Sequence, residues 1–296
     1  MLNYGLAAAA ASMLLIAIDG VIAKYMLRRF SLKAYVPIIL ALGIIPMLAV
    51  QLLYGSSYNL QSYLPEIILG SIFLAAGYLF YYKALSQAEV SKVTIFSNLQ
   101  PLIIFVFSLL FLNEGISAIP LLGALLIFIG SSMGIYEKGI RIDKKLVPAV
   151  FANVSWGIYW IFMSSAITKG NYIAPLLAAR AVAFVAVMLF YIGQEKSHAR
   201  HAKTKSRVKG RRSGLSITVL VLSAIALFIA SFVDSGINIF FSIAISLSFA
   251  VLGSAVIAFA PMITAVIGKI AFKDSLKTHQ IIGLVIAVAG AVLIVI

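Results

Sequence analysis

The sequence has no cysteine, which excludes disulfides, thiolate nucleophiles and cysteine-ligated metals. Charge is nearly as scarce: 11% of the 296 residues are Asp, Glu, Lys or Arg, where a soluble domain carries about 25%. With 62% hydrophobic residues there is too little polar surface to coat a water-soluble core, so the chain reads as an integral membrane protein. Acids number nine and histidines three. His198, His201 and His279 fall in loops or at a helix end, and no HExxH or Gly-x-Ser-x-Gly pattern occurs, so an intramembrane enzyme is the alternative reading with little to build on. No nucleotide-binding motif is present, so ATP hydrolysis is not the energy source, and neither cofactor nor metal is expected.

What the chain has is repetition. Slid by 160 positions, residues 77–136 land on 237–296 without a gap. Pro101 falls on Pro261, Gly123 on Gly283, Gly130 on Gly290 and Glu114 on Asp274. A repeat this long is no small-period solenoid; two copies of a membrane half point to a transporter. A bilayer core of about 30 Å takes about 20 apolar residues per helix. Runs of that size lie near 3–28, 34–54, 66–86, 91–112, 116–136, 146–168 and 172–193. The first has no basic region ahead of it and is too long for a signal-peptide core, so it is read as a retained helix. Residues 215–272 are apolar almost throughout, and the repeat divides the tail into helices near 226–245, 250–272 and 277–296. Residues 215–225 then extend the eighth helix or lie at the interface.

The earlier helices align at an offset near 137, with Gly20 on Gly157. The fold class is therefore all-α, ten transmembrane helices in two repeats, 1–138 and 139–296, with a basic loop at 194–214 inserted in the second. Five spans per half force the halves into opposite orientations, related by a pseudo-two-fold axis in the membrane plane. The odd-numbered loops hold 18 Lys and Arg residues and the even-numbered loops only Lys169, which places the odd loops in the cytoplasm and both termini outside. Lys24, Lys83 and Lys269 lie inside helices near their odd-loop ends, where they can snorkel. The net charge of +14 is thus topogenic. The 194–214 loop can attract anionic lipid but has no aromatic residues to interleave with bases, so no nucleic-acid partner is expected.

Two copies of one pattern carry a family resemblance. The first is Ala84-Leu85, Pro101, Phe111-Leu112-Asn113-Glu114, Gly123 and Gly130; the second is Ala244-Ile245, Pro261, Phe272-Lys273-Asp274, Gly283 and Gly290. With Trp156-Gly157 in the sixth helix and Arg180 in the seventh, the chain resembles the drug/metabolite transporter superfamily in its ten-helix EamA-like form. Asp19 stands where a Trp is usual, Leu42 where the second helix can show an arginine, and Asp274 in place of a second glutamate. External termini also depart from the usual family orientation. The resemblance implies a midplane cavity lined by helices one, three, four, six, eight and nine.

The residues with chemistry to offer are few. Asp19 is near the middle of the first helix, where an Asp costs roughly 3 kcal/mol on insertion scales, so it should face a cavity or a partner. Asp234 falls mid-way along the eighth helix, or caps a break at Asp-Ser-Gly. Arg180 is too deep to snorkel easily and stays charged; it either holds a fixed pair or meets a substrate. Pro101 and Pro261 are placed mid-helix as hinges, each freeing a carbonyl one turn earlier, at Ser97 and Ile257. Asn98 and Gln100 flank the first break and Ala258 and Ala260 the second, so the site should be asymmetric. Tyr78 and Trp156 are too central for an interfacial belt and can stack on a substrate, with Tyr159 beside them. The Gly123/Gly130 and Gly283/Gly290 pairs predict a close-packed seam, within a monomer or against a second copy in a homodimer. Together these predict a secondary transporter in the plasma membrane of a prokaryote, moving an amino acid, metabolite or organic cation by alternating access, with Asp19 and Asp234 as candidates for proton or cation coupling.

Overall fold

Backbone polar groups cannot go unpaired in hydrocarbon, so membrane-spanning segments close their hydrogen bonds as helices. The computed structural model of the chain describes residues 2–54, 59–112, 118–137, 141–167, 172–201, 217–247, 253 and 256–293. Among them the only strands form a two-residue antiparallel ribbon, Tyr136–Glu137 with Arg141–Ile142. The first span is α1 (Leu2–Leu27). The second is α2 (Leu32–Leu42) followed by α3 (Ile44–Tyr54), and the third is α4 (Leu64–Gln87). The fourth consists of α5 (Val90–Thr94), a 3₁₀ turn at Ile95–Asn98 and α6 (Leu99–Leu112). Then come α7 (Ala118–Ile135), α8 (Val147–Ala166), α9 (Ala174–His201), α10 (Ile217–Leu247), α11 (Ala260–Phe272) and α12 (Thr278–Leu293). Seven of these segments are long and apolar enough to cross a membrane, and three shorter apolar helices complete the ten spans.

At the eighth helix one of the alternatives left by the sequence holds, while the seventh and second helices differ from the expectation. The eighth reaches back to Ile217, so residues 217–225 extend it. It also runs unbroken through Asp234, Ser235 and Gly236, because Asp234 spends its oxygens on other helices rather than on a cap. The seventh continues to His201. The second is interrupted at Gly43, since Pro46, in the first turn of α3, has no N–H to continue the ladder of α2. Glu114 and most of the 194–214 loop lie outside the described residues.

Packing follows a two-fold exchange of the halves. The first span packs on the eighth, and its counterpart the sixth packs on the third. The first also packs on the ninth, as the sixth does on the fourth. The second meets the seventh, and the fifth meets the tenth, each a span against its own equivalent. At the last contact the backbones touch: a Cβ on Gly283 would stand 2.5 Å from the Gly130 carbonyl oxygen, and one on Gly290 2.5 Å from that of Gly123. Only glycine allows that approach, and the seam lies within the monomer.

The outer faces are apolar. Along α10, Leu222, Ile225, Ile229 and Phe232 are exposed, while Ser231, Asp234, Ser235, Asn238 and Ser242 are buried. Spacings of three and four residues put these polar groups on one helical face, turned from lipid toward the protein interior.

Candidate functional site

That polar face of α10 closes a cavity of about 70 Å³ between the halves. Its wall comes from spans one, three, four, six, eight and nine. Six pairs of repeat-equivalent positions both reach it: Ile16 with Asn153, Asp19 with Trp156, Leu74 with Asp234, Tyr78 with Asn238, Tyr81 with Phe241, and Ser97 with Ile257. The two-fold therefore passes through the cavity. Gln100, Tyr159 and Trp160 complete much of the remainder. The rings pack on one another, with centroids 4.9 Å apart for Tyr81 and Trp156 and 4.5 Å for Trp160 and Phe241.

One acid is fully engaged. Arg180 forms a buried ion pair with Asp234 Oδ2, and the Tyr78 hydroxyl lies 2.7 Å and 2.8 Å from the two carboxylate oxygens, sharing its one proton between them. Arg180 Nε donates to the Leu40 carbonyl at 3.0 Å and Nη2 to that of Ile39 at 2.9 Å. These acceptors lie in the last turn of α2, where the Ile39 carbonyl also accepts from Gly43 N–H at 3.0 Å. Ser235 Oγ donates to the Gly43 carbonyl at 2.9 Å. Gly43, one residue on from the Leu42 expected at this place, is the repeat equivalent of Arg180 at the 137 offset, and a Cβ there would collide with the guanidinium. Arg180, 1% exposed, sits behind Asp234 and outside the cavity wall. In this structure it makes the fixed pair that was one of the two roles its depth suggested.

The other acid is left open. Asp19 is 6% exposed and faces the cavity, and its Oδ1 has no hydrogen-bond partner. Asn153, another lining residue, donates through Nδ2 to the Ala149 carbonyl at 2.8 Å, while its Oδ1 has no partner among the described residues. Asn98 is buried with both amide atoms unpaired, but it is not on the wall. Gln100 is.

Both prolines mark breaks, though not as kinks within continuous helices. Pro101 is the third residue of α6, directly after the 3₁₀ turn, and Pro261 lies in the first turn of α11. Each occupies a helix start, where a missing N–H costs little. Ser97 and Ile257, four residues before each proline, both reach the cavity.

At the odd-loop end, spans four and nine are latched together. Asp274 accepts from Ser91 N–H at 3.0 Å and Ser91 Oγ at 2.9 Å, next to the start of α5. Glu89 Oε2 accepts from Ser275 N–H at 2.9 Å and its Oε1 pairs with Lys92 at 3.0 Å. Lys24 donates to the Leu85 and Ala88 carbonyls, 2.6 Å each, capping the end of α4.

The model of the EamA-like transporter family matches residues 3–135 and 144–296, nearly the whole chain in two halves. The chain belongs to the EamA-like transporter family. A solved crystal structure superposes with TM-score 0.63 at 18% identity, covering 98% of this chain and 96% of its own; at that identity the likeness speaks for the fold. No curated protein matches the chain. An EamA-like family member is a membrane transporter of the drug/metabolite type, and the family is not an enzymatic one.

In this EamA-like chain, Asp19, Asp234, Tyr78, Trp156, Tyr159 and Gln100 share one wall, while Arg180 and Asn98 sit behind it. Asn153 and Asn238 are wall residues that the candidates read from sequence omitted. Asn238 had a legible signal, four residues from Asp234 on the polar face of α10. Asn153 had one too, three residues before Trp156, but a lone Asn in an apolar run has no partner in the sequence to mark it.

Proposed function

We propose that this EamA-like protein is a secondary active transporter that moves a small organic solute by alternating access, coupled to protons or another cation through Asp19. The observation that carries this reading is the cavity between the halves, lined by a carboxylate whose Oδ1 has no partner among the described residues, with broken spans related by the two-fold beside it. At about 70 Å³ the cavity is well below the roughly 300 Å³ at which ligand pockets begin. Admitting a solute requires the halves to move apart, and the breaks before Pro101 and Pro261 are natural places for that movement. Asp234 is neutralised by Arg180, which leaves Asp19 as the group free to take up and release a cation. A neutralised carboxylate can cross a low-dielectric path that an ionised one cannot.

The lopsided basic loops argue for cytoplasmic odd loops and external termini. In that orientation the Asp274–Ser91 and Glu89–Ser275 contacts close the cytoplasmic end, and their opening is the step that exposes the cavity to the cytoplasm. The test is solute flux in proteoliposomes under an imposed pH gradient. Gradient-driven flux that disappears in Asp19→Asn is the expected result. Wild-type flux from Asp19→Asn refutes coupling at this residue.

A further inference from the structure

The solute class can be narrowed by which charges reach the cavity. We propose that the site takes a small organic monocation, a protonated amine or quaternary ammonium without a carboxylate of its own. This deepens the transport reading and rests on it. The two charged side chains on the wall, Asp19 and Asp234, are both acids, and no Lys, Arg or His lines it among the described residues. The one deep guanidinium, Arg180, is bound by Asp234 and two backbone carbonyls and lies outside the wall. With Asp234 matched by Arg180, the ionised site carries one surplus negative charge, on Asp19, whose buried Oδ1 lacks a partner. Asn153, also among the lining residues, is fully buried and its Oδ1 has no partner among the described residues.

Aromatic rings share the lining with Asp19. Tyr78, Tyr81, Tyr82, Trp156, Trp160 and Phe241 line the cavity. Aromatic rings attract ammonium groups through their quadrupoles, Trp most strongly, and the attraction grows when water is excluded. A zwitterion of the same size would bring its carboxylate to a wall with two acids and no cation. It would lose solvation without a counterion, and that repulsion sets specificity against amino acids. A neutral solute would leave that charge to be met by a proton or another cation, and would gain nothing from Asp19 itself.

The experiment uses the purified full chain and three probes: tetramethylammonium, pentylamine and phenethylamine. Each of the last two is paired with the amino acid that adds one carboxylate, norleucine and phenylalanine. Melting temperature against ligand concentration gives affinity, since a ligand of the folded state raises it. At least one amine is expected to stabilise the protein saturably and at least tenfold more tightly than its amino-acid counterpart. Asp19→Asn should weaken that amine at least tenfold, and Trp156→Leu by several-fold, with the unliganded melting temperature reporting that each variant is folded.

Equal or tighter binding of the amino acid, an unchanged amine affinity in Asp19→Asn, or no response to any amine each overturns the proposal. The wild-type amine and amino-acid comparison stands even if a variant fails to fold. Flux of the same probes in proteoliposomes separates the two readings. Amine binding without flux overturns transport and leaves the solute class. Preferential flux of the amino acid overturns the class and leaves transport.

Discussion

The two halves place equivalent backbone positions on the cavity wall, yet none of the six equivalent pairs there shares a residue type. Asp19 answers to Trp156, Leu74 to Asp234, Tyr78 to Asn238. Each half thus supplies one acid, at non-equivalent places. Only the second half supplies a counterion, and the first supplies Gly43, the space that counterion needs. The duplication sets where side chains reach, and divergence decides what they do there. A symmetric pair of arginines could not fit, because the second and seventh spans meet on the two-fold itself. Asp234 is held by the ion pair, whereas Asp19 Oδ1 has no partner among the described residues.

The contrast between the two acids can be broken most severely at Arg180. Arg180→Met strands Asp234 in the interior and should cost about 3–5 kcal/mol, read as a lowered unfolding temperature and poor monodisperse yield. Gly43→Leu attacks the same knot from the other half by displacing the guanidinium, at about 1–3 kcal/mol; combined with Arg180→Met it should cost less than the two separately, because they share one contact. Tyr78→Phe removes one donor to the Asp234 carboxylate and should cost about 1.5–3 kcal/mol, again by thermal unfolding.

Asp274→Ala loosens the latch rather than the knot, at about 0.5–2 kcal/mol. The chain has no native cysteine, so a single cysteine at Ser97→Cys reports on it: Asp274→Ala should speed labelling by a membrane-impermeant thiol reagent applied from the odd-loop side. Asp19→Asn should move stability least, leaving the unfolding temperature unchanged or slightly raised, because a midplane Asp is itself a cost of roughly 3 kcal/mol. If Asp19→Asn unfolds the protein as Arg180→Met does, the contrast between the acids is wrong.

Many residues of the cavity wall were legible as candidates in the sequence. The repeat located the breaks at Pro101 and Pro261, and a mid-span charge is costly enough that Asp19, Asp234 and Arg180 announce themselves. What could not be read was partnership. Arg180 and Asp234 are 54 positions apart, Tyr78 and Asp234 156 apart, and no local periodicity links them. Asn98 stands two residues from Gln100, yet the 3₁₀ turn at Ile95–Asn98 leaves one behind the wall and the other on it.

Hydropathy and the internal repeat alone were enough for ten spans, two halves and their opposed insertion, because a bilayer sets helix length and an odd span count sets inversion. Which carboxylate would be neutralised and which left bare was settled only when the seventh span inserted its arginine at the Gly43 break. A buried charge is governed by atoms within a few ångströms of it, and those atoms come together only through packing.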